Sequence, residues 1–195
     1  MPNSRAGPLP AATGSSTAVW PAVRRRGHVH CRVMTAYISG ALLNAQHLDQ
    51  ARALYERFAE ACRAAGWEAY VPHQHADPVR DPHMTNIDVA TRDLDHVTSA
   101  DALVAYVGEP SLGVGAEVAI ALAAGKRVLI VAEADRRVSR FLLGLAELHP
   151  AQAEVFRYQS VEEAASWIRA RLGPTTATTA TTGTTGTTKT EQFKN

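Results

Sequence analysis

"DALVAYVGEPSLGVGAEVAIALAAGKRVLIVA", residues 101–132, decides the fold. Residues 102–107 are apolar without alternation, as a strand covered on both faces requires. A break follows at Gly108-Glu109-Pro110-Ser111. Leu112 to Gly125 then reads as a helix that is glycine or apolar except for Glu117. "RVLIVA", 127–132, is a second continuous apolar strand. Two such strands joined by a helix make a βαβ unit of a parallel sheet.

The same alternation runs outward in both directions. "VMTAYISG" (33–40) is a strand ending at Gly40. "LDQARALYERFAEACRAAG" (48–66) is a helix with Leu54, Phe58, Ala61 and Cys62 on its inner face and Gly66 as its C′ residue. "EAYVP" is a short strand stopped by Pro72. A loop with two Asp-Pro steps leads to a helix capped by Thr85 or Asn86. Its apolar stripe reads as Ile87, Ala90, Leu94 and Val97. After the central unit, 138–148 is helical, "VFRYQ" (155–159) is a strand, and 160–172 is a helix with Ser160 as cap and Glu163 at capping-box spacing. Five β-α units predict an α/β fold with a five-stranded parallel sheet and helices on both faces. Ligands of such sheets bind beyond the C-terminal strand ends.

Residues 34–172 form the expected single domain. Residues 1–33 lack acids and periodicity and read as a disordered extension rather than a transit peptide, with Met34 directly before the first strand. Residues 173–195 are a Thr-rich low-complexity tail that buries too little to offset its ordering entropy. The formal charge of +1 gives no strong field for nucleic acid or an acidic membrane. No apolar run approaches the roughly 20 residues that span a bilayer. Cys31 and Cys62 read as reduced thiols of a cytoplasmic protein.

Glu117 is the residue with chemistry. It is placed in the first turn of its helix, where the dipole and free N–H groups favour an anion. Gly113 and Gly115 permit positive φ and let a ligand approach the backbone. One Gly-x-Gly after a third strand is neither a dinucleotide fingerprint nor a P-loop. An ionised carboxylate there suits a nucleophile or a stabiliser of a cationic transition state, or else simply complements the dipole. Asp93 lies at the border of its helix's stripe, toward the strand ends, with Asp88 and Asp95 further round. It either pairs with Glu117, the two pKa values pushed apart, or belongs to a solvated face. His73, His75 and His83 share a loop, but nothing completes a ligand set, so no metal is expected. His73 reads as a pocket wall or ligand hydrogen-bonder. The hydroxyls of Tyr37 and Tyr106 either serve the site or pack.

"YISG", "RDLDHVTSAD" and "PSLGVGAEVAIALAAGKRVLIV" together resemble the nucleoside 2-deoxyribosyltransferase superfamily, over about residues 35–145. "PSLGVG-x-E" resembles its branch of 2′-deoxynucleoside 5′-phosphate N-hydrolases. The resemblance implies a flavodoxin-like fold and a homodimer or higher oligomer with shared sites. It implies cleavage of an N-glycosidic bond without cofactor or metal. Glu117 matches the attacking glutamate, Asp93 the aspartate that assists the departing base, and Tyr37 the tyrosine ending strand one. Ser111, Gly113, Gly115 and the helix start match the holders of the 5′-phosphate. Gly40 and Ala41 lie on the first substrate loop. Ser139 resembles a phosphate-binding serine from the neighbouring subunit. In the phosphohydrolase branch the first loop reads Gly-Ser-x-Arg. Here it is "GALLN", with Ala41 and Leu43 in the phosphate-binding places and Asn44 closer to the transferase branch. Either other groups hold the phosphate (Ser111, Ser139, Arg140 or Arg80), or the substrate is a nucleoside. A deoxyribosyltransferase and a non-catalytic nucleotide sensor are the alternatives to a hydrolase, and a flavin binder is more distant.

Overall fold

A computed structural model describes residues 32–42, 47–75 and 83–173 of the chain. The tails foreseen at 1–33 and 173–195 lie outside these residues apart from Arg32, Val33 and Gly173. Leu43, Asn44 and Arg80 also lie outside them.

The elements follow the foreseen order: β1 (Thr35–Ser39), α1 (Leu48–Ala64), β2 (Glu68–Tyr70), α2 (Asn86–Ser99), β3 (Ala102–Tyr106), α3 (Leu112–Ala123), β4 (Arg127–Glu133), α4 (Arg140–Leu148), β5 (Ala153–Tyr158) and α5 (Val161–Leu172). A single 3₁₀ turn, Pro72–Gln74, follows β2. The five strands are all parallel, in the order β2-β1-β3-β4-β5. This is the flavodoxin-like arrangement. Strand order reverses between β1 and β3, so a crevice is expected beyond their C-terminal ends.

Alternation along the strands divides the core into two layers. Ala36, Ile38, Val104, Leu129 and Val131 pack against Tyr55 and Phe58 of α1 and Ile168 of α5. Tyr37, Leu103, Ala105, Val128 and Ile130 face Val97 of α2, Val114 and Val118 of α3, and Leu142 of α4. Both long turns into strands use glycine at positive φ, Gly66 at 84° and Gly125 at 71°. In each, the next residue's N–H reaches back to the last helical turn (Trp67 to Cys62, Lys126 to Ala121), which closes a Schellman motif. Gly66 therefore has the role its sequence position indicates.

The described residues begin at Arg32. Arg32 forms an ion pair with Asp101 at 2.8 Å, and the Thr35 N–H donates to the same carboxylate. The stripe foreseen on α2 is corrected. Ile87 is 76% exposed and Leu94 38%, and of the four only Val97 is buried. The helix is turned so that Asp93 and His96 face inward beside Val97. Among the described residues no helix is long and apolar enough to cross a membrane.

Candidate active site

Tyr37 and Ser39 are two residues apart on β1, so both side chains leave the same sheet face. That face meets Glu117 on α3. The Tyr37 hydroxyl donates to Glu117 Oε1 at 2.7 Å, and the Ser39 hydroxyl donates to Oε2. Each carboxylate oxygen thus has its own donor from a rigid strand, which fixes the plane and direction of the carboxylate.

Ionisation of Glu117 is a contest. Burial raises its pKa above the usual carboxylate value, the Ser39 and Tyr37 hydrogen bonds pull it down, and Asp93 pushes it up again; the net direction is upward. Asp93 comes from α2, which packs on α3. Burial also raises its pKa, opposed by His96 and Arg92. The two acids also differ in their donors. Glu117 receives two hydroxyl donors, whereas Asp93 Oδ1 is buried and has no hydrogen-bond partner. Donors favour the charged form, so the two hydroxyls support Glu117 as the anion of the pair, against its burial.

An aromatic stack walls this pair. The Tyr37 ring lies 5.6 Å from that of Tyr70, and Tyr70 stacks on His96 at 3.6 Å and on His75 at 4.8 Å. Burial first, then Glu117 and Asp93, push the Tyr37 hydroxyl far up, so it remains a donor.

The other foreseen residues are distributed over several elements. Ser111 caps α3, its hydroxyl accepting the Val114 N–H at 3.3 Å. Gly113 and Gly115 are helical rather than left-handed; positive φ occurs only at Gly66 and Gly125 among the described glycines. A Cβ on Gly113 would make an ordinary contact with Ser111 Oγ at 3.7 Å, and one on Gly115 would meet nothing within 4 Å. Glu117 is correspondingly not in the first turn, which contains no acid. α3 starts at Leu112, so the hydroxyls of β1 replace the helix dipole as the groups that favour its anion. Gly40 is glycine because a Cβ there would lie 2.2 Å from Tyr55 Cζ. Ala41 is buried and its carbonyl accepts the Tyr55 hydroxyl at 2.8 Å. His73 is buried, with Nε2 2.9 Å from Glu56 Oε1. Ser139 heads α4 without a side-chain capping bond. Tyr106 points to the opposite sheet face, where it donates to Glu133 at 2.9 Å. The structure therefore brings Glu117, Asp93 and Tyr37 together.

Sequence reasoning does not single out Ser39 or Tyr70. A hydroxyl two residues after Tyr37, in an otherwise apolar buried strand, is the signal that finds Ser39. Tyr70 has none beyond its strand-end position.

The sequence profile of the nucleoside 2-deoxyribosyltransferase family matches residues 36–184. The chain belongs to this family. Of its relatives, a protein of Thermofilum pendens (strain DSM 2475 / Hrk 5) with the provisional name 2′-deoxynucleoside 5′-phosphate N-hydrolase 1 is 36% identical over 116 residues, which cover 56% of this chain and 76% of the relative. Solved structures share the fold. The CMP N-glycosidase BcmB of Clostridium botulinum superposes with a TM-score of 0.54 at 17% identity, over 70% of this chain and 98% of that one. A 2-deoxyribosyltransferase of Bacillus psychrosaccharolyticus gives 0.50 at 14% identity, over 71% and 96%. At such identities these two likenesses speak for the fold alone.

Proposed function

We propose that this chain is an N-glycosidase that hydrolyses a nucleoside 5′-monophosphate, 2′-deoxy or ribo, to free base and the sugar 5-phosphate. The observation that carries the proposal is the Glu117 carboxylate, held by a hydroxyl on each oxygen next to the donor-poor Asp93.

Departure of the base leaves positive charge on the sugar ring. A fixed, partly desolvated anion stabilises that charge more than a mobile hydrated one, because its dipolar surroundings are arranged beforehand. In the first step a Glu117 oxygen bonds to C1′, the C1′–N bond breaks, and the Asp93 proton passes to the base. Water then adds to C1′, the ester bond to Glu117 breaks, and the water's proton returns to Asp93. Two carboxylates thus exchange roles as in retaining glycosidases. No metal or organic cofactor is needed in this scheme. Gly40, Ala41, Ser111, Gly113, Gly115 and Ser139 border the region where the sugar 5′ end would lie, with His73 supporting the first loop from behind.

The first loop supports a second reading. Ala41 offers no side-chain hydroxyl, and its carbonyl is occupied by Tyr55. A nucleoside lacking the phosphate, with a second base in place of water, would make the chain a deoxyribosyltransferase. A homodimer with shared sites, Ser139 coming from the neighbour, belongs to the same proposal, as does a cytoplasmic location.

Incubating the protein with nucleoside 5′-monophosphates and nucleosides, with and without an acceptor base, tests the reading by chromatography. Hydrolysis predicts free base without acceptor; transfer predicts a new nucleoside only with it. Tight nucleotide binding with no base released from any substrate would overturn the enzyme reading in favour of a sensor.

A further inference from the structure

Two buried polar atoms near Tyr37 lack a hydrogen-bond partner: Asp93 Oδ1 and the Tyr70 hydroxyl. A buried donor or acceptor without a partner is costly, and its persistence requires an explanation. Asp93 has one in the reading above, as the acid that serves the leaving base. Tyr70 has none, and nothing in the fold requires its hydroxyl; a phenylalanine ring would stack as well on Tyr37, His75 and His96.

The side chains of the site are connected in space. Glu117 is hydrogen-bonded to Tyr37, Tyr37 stacks on Tyr70, and Tyr70 lies 3.6 Å from the ring of His96. His96 stands three residues after Asp93 on the inward side of α2, so Asp93 and His96 share a helix face. The polar ends of Tyr37, Tyr70, Asp93 and Glu117 interact: Tyr37 feels the charges of Glu117 and Asp93 and the Tyr70 hydroxyl, and Tyr70 feels Asp93. Three flat rings hold the Tyr70 phenol, so its hydroxyl direction is preset.

We propose that Tyr70 is a leaving-group residue, its hydroxyl donating a hydrogen bond to an acceptor atom of the nucleobase conjugated with the glycosidic nitrogen, a pyrimidine carbonyl or a purine ring nitrogen. The proposal rests on the N-glycosidase reading and deepens it. As the C1′–N bond breaks, its electron pair moves onto the base and spreads to such acceptors. A donor aimed there bonds more strongly in the transition state than in the ground state, and the gain appears in the rate of cleavage. No proton moves from Tyr70; the transferred proton is that of Asp93. Burial, followed by the charge of Asp93, pushes the Tyr70 hydroxyl up to about 12, so it stays a donor at neutral pH.

Tyr70→Phe keeps the ring and removes only the donor. It is compared with the unaltered chain on a base-bearing substrate and on the matching p-nitrophenyl (deoxy)riboside, with or without 5-phosphate as the native preference dictates. Nitrophenolate leaves readily and has no acceptor in that place. The expected result is a fall in kcat/KM of about tenfold or more on the base-bearing substrate, with the nitrophenyl glycoside cleaved at the unaltered rate. An equal fall on both substrates would make Tyr70 a packing residue, and no fall on either would remove it from base recognition; each overturns the proposal. Absence of base release by the unaltered chain would instead overturn the N-glycosidase reading and this inference with it.

Discussion

Glu117 is acted on from three elements: Tyr37 and Ser39 of β1 donate to it, Asp93 of α2 repels it, and α3 carries it into a half-buried position. Glu117→Gln removes the proposed nucleophile while keeping its shape. Turnover is expected to fall by on the order of a thousandfold or more, with substrate binding preserved in calorimetry. Near-normal turnover would refute the assignment. The pH profile follows from the same groups. The proposed mechanism needs Glu117 ionised, so the acid limb is expected above the usual carboxylate range because burial raises this acid. The mechanism also needs Asp93 protonated, so a basic limb is expected to follow the raised Asp93 pKa, and kcat/KM against pH is expected to be bell-shaped. Ser39→Ala withdraws a donor that favours the anion. The acid limb then moves to higher pH, and the loss of activity is larger at pH 6 than at pH 8; an unmoved acid limb would show that Ser39 only fills space. Glu117, Asp93 and Tyr37 were legible because their types are unusual in apolar surroundings or sit at strand ends. Ser39 was not, since a small hydroxyl in a strand has no pattern, and its value arises only when α3 brings a carboxylate opposite it.

The elements were legible where burial imposes a pattern. β3 and β4 are covered on both faces and read as unbroken apolar runs, and Gly66 and Gly125 mark helix ends by the backbone sign that glycine permits. α2 shows where this fails. Counting apolar residues turns Ile87 and Leu94 inward, yet the helix buries Val97 and directs Asp93 and His96 toward Tyr70. A helix that presents a polar face to a site breaks the rule that apolar stripes face the core. The loop after β1 offers a test at this scale. A Cβ on Gly40 would stand 2.2 Å from Tyr55 Cζ and 2.7 Å from its hydroxyl oxygen, which the Ala41 carbonyl accepts. Gly40→Ala therefore forces the ring or the loop aside and is expected to cost about 1–3 kcal/mol in denaturant unfolding. Gly40→Ala combined with Tyr55→Ala should cost less than the sum of the two single changes, because the clash is absent once the ring is gone. Strict additivity would mean that the ring is not what requires glycine.

Across the whole molecule, three neighbouring helices begin with an uncovered apolar side chain: Ile87 on α2 at 76% exposed, Leu112 on α3 at 97% and Phe141 on α4 at 76%. Helix N-termini in a parallel sheet stand at the C-terminal strand ends, so these residues ring the same edge as Glu117. The outer side of α3 continues the surface with Ala116, Ala119 and Ala123, and without a charge. The outer face of this helix is thus small and apolar, which suits the proposed contact between copies. The chain is expected to sediment as a homodimer, and Leu112→Asp, which suits a helix start but not an apolar contact, is expected to shift it to monomer. Shared sites can be separated from mere dimerisation by mixing two defective variants. In a hybrid of Glu117→Gln with Ser139→Ala, one site keeps both native groups if Ser139 reaches across to the neighbour's Glu117, and neither site does if both groups come from one chain. Mixing after dissociation and reassociation should therefore raise activity above the mean of the two parents. A mixture that stays at that mean would keep each Ser139 with its own Glu117 and remove the cross-subunit arrangement.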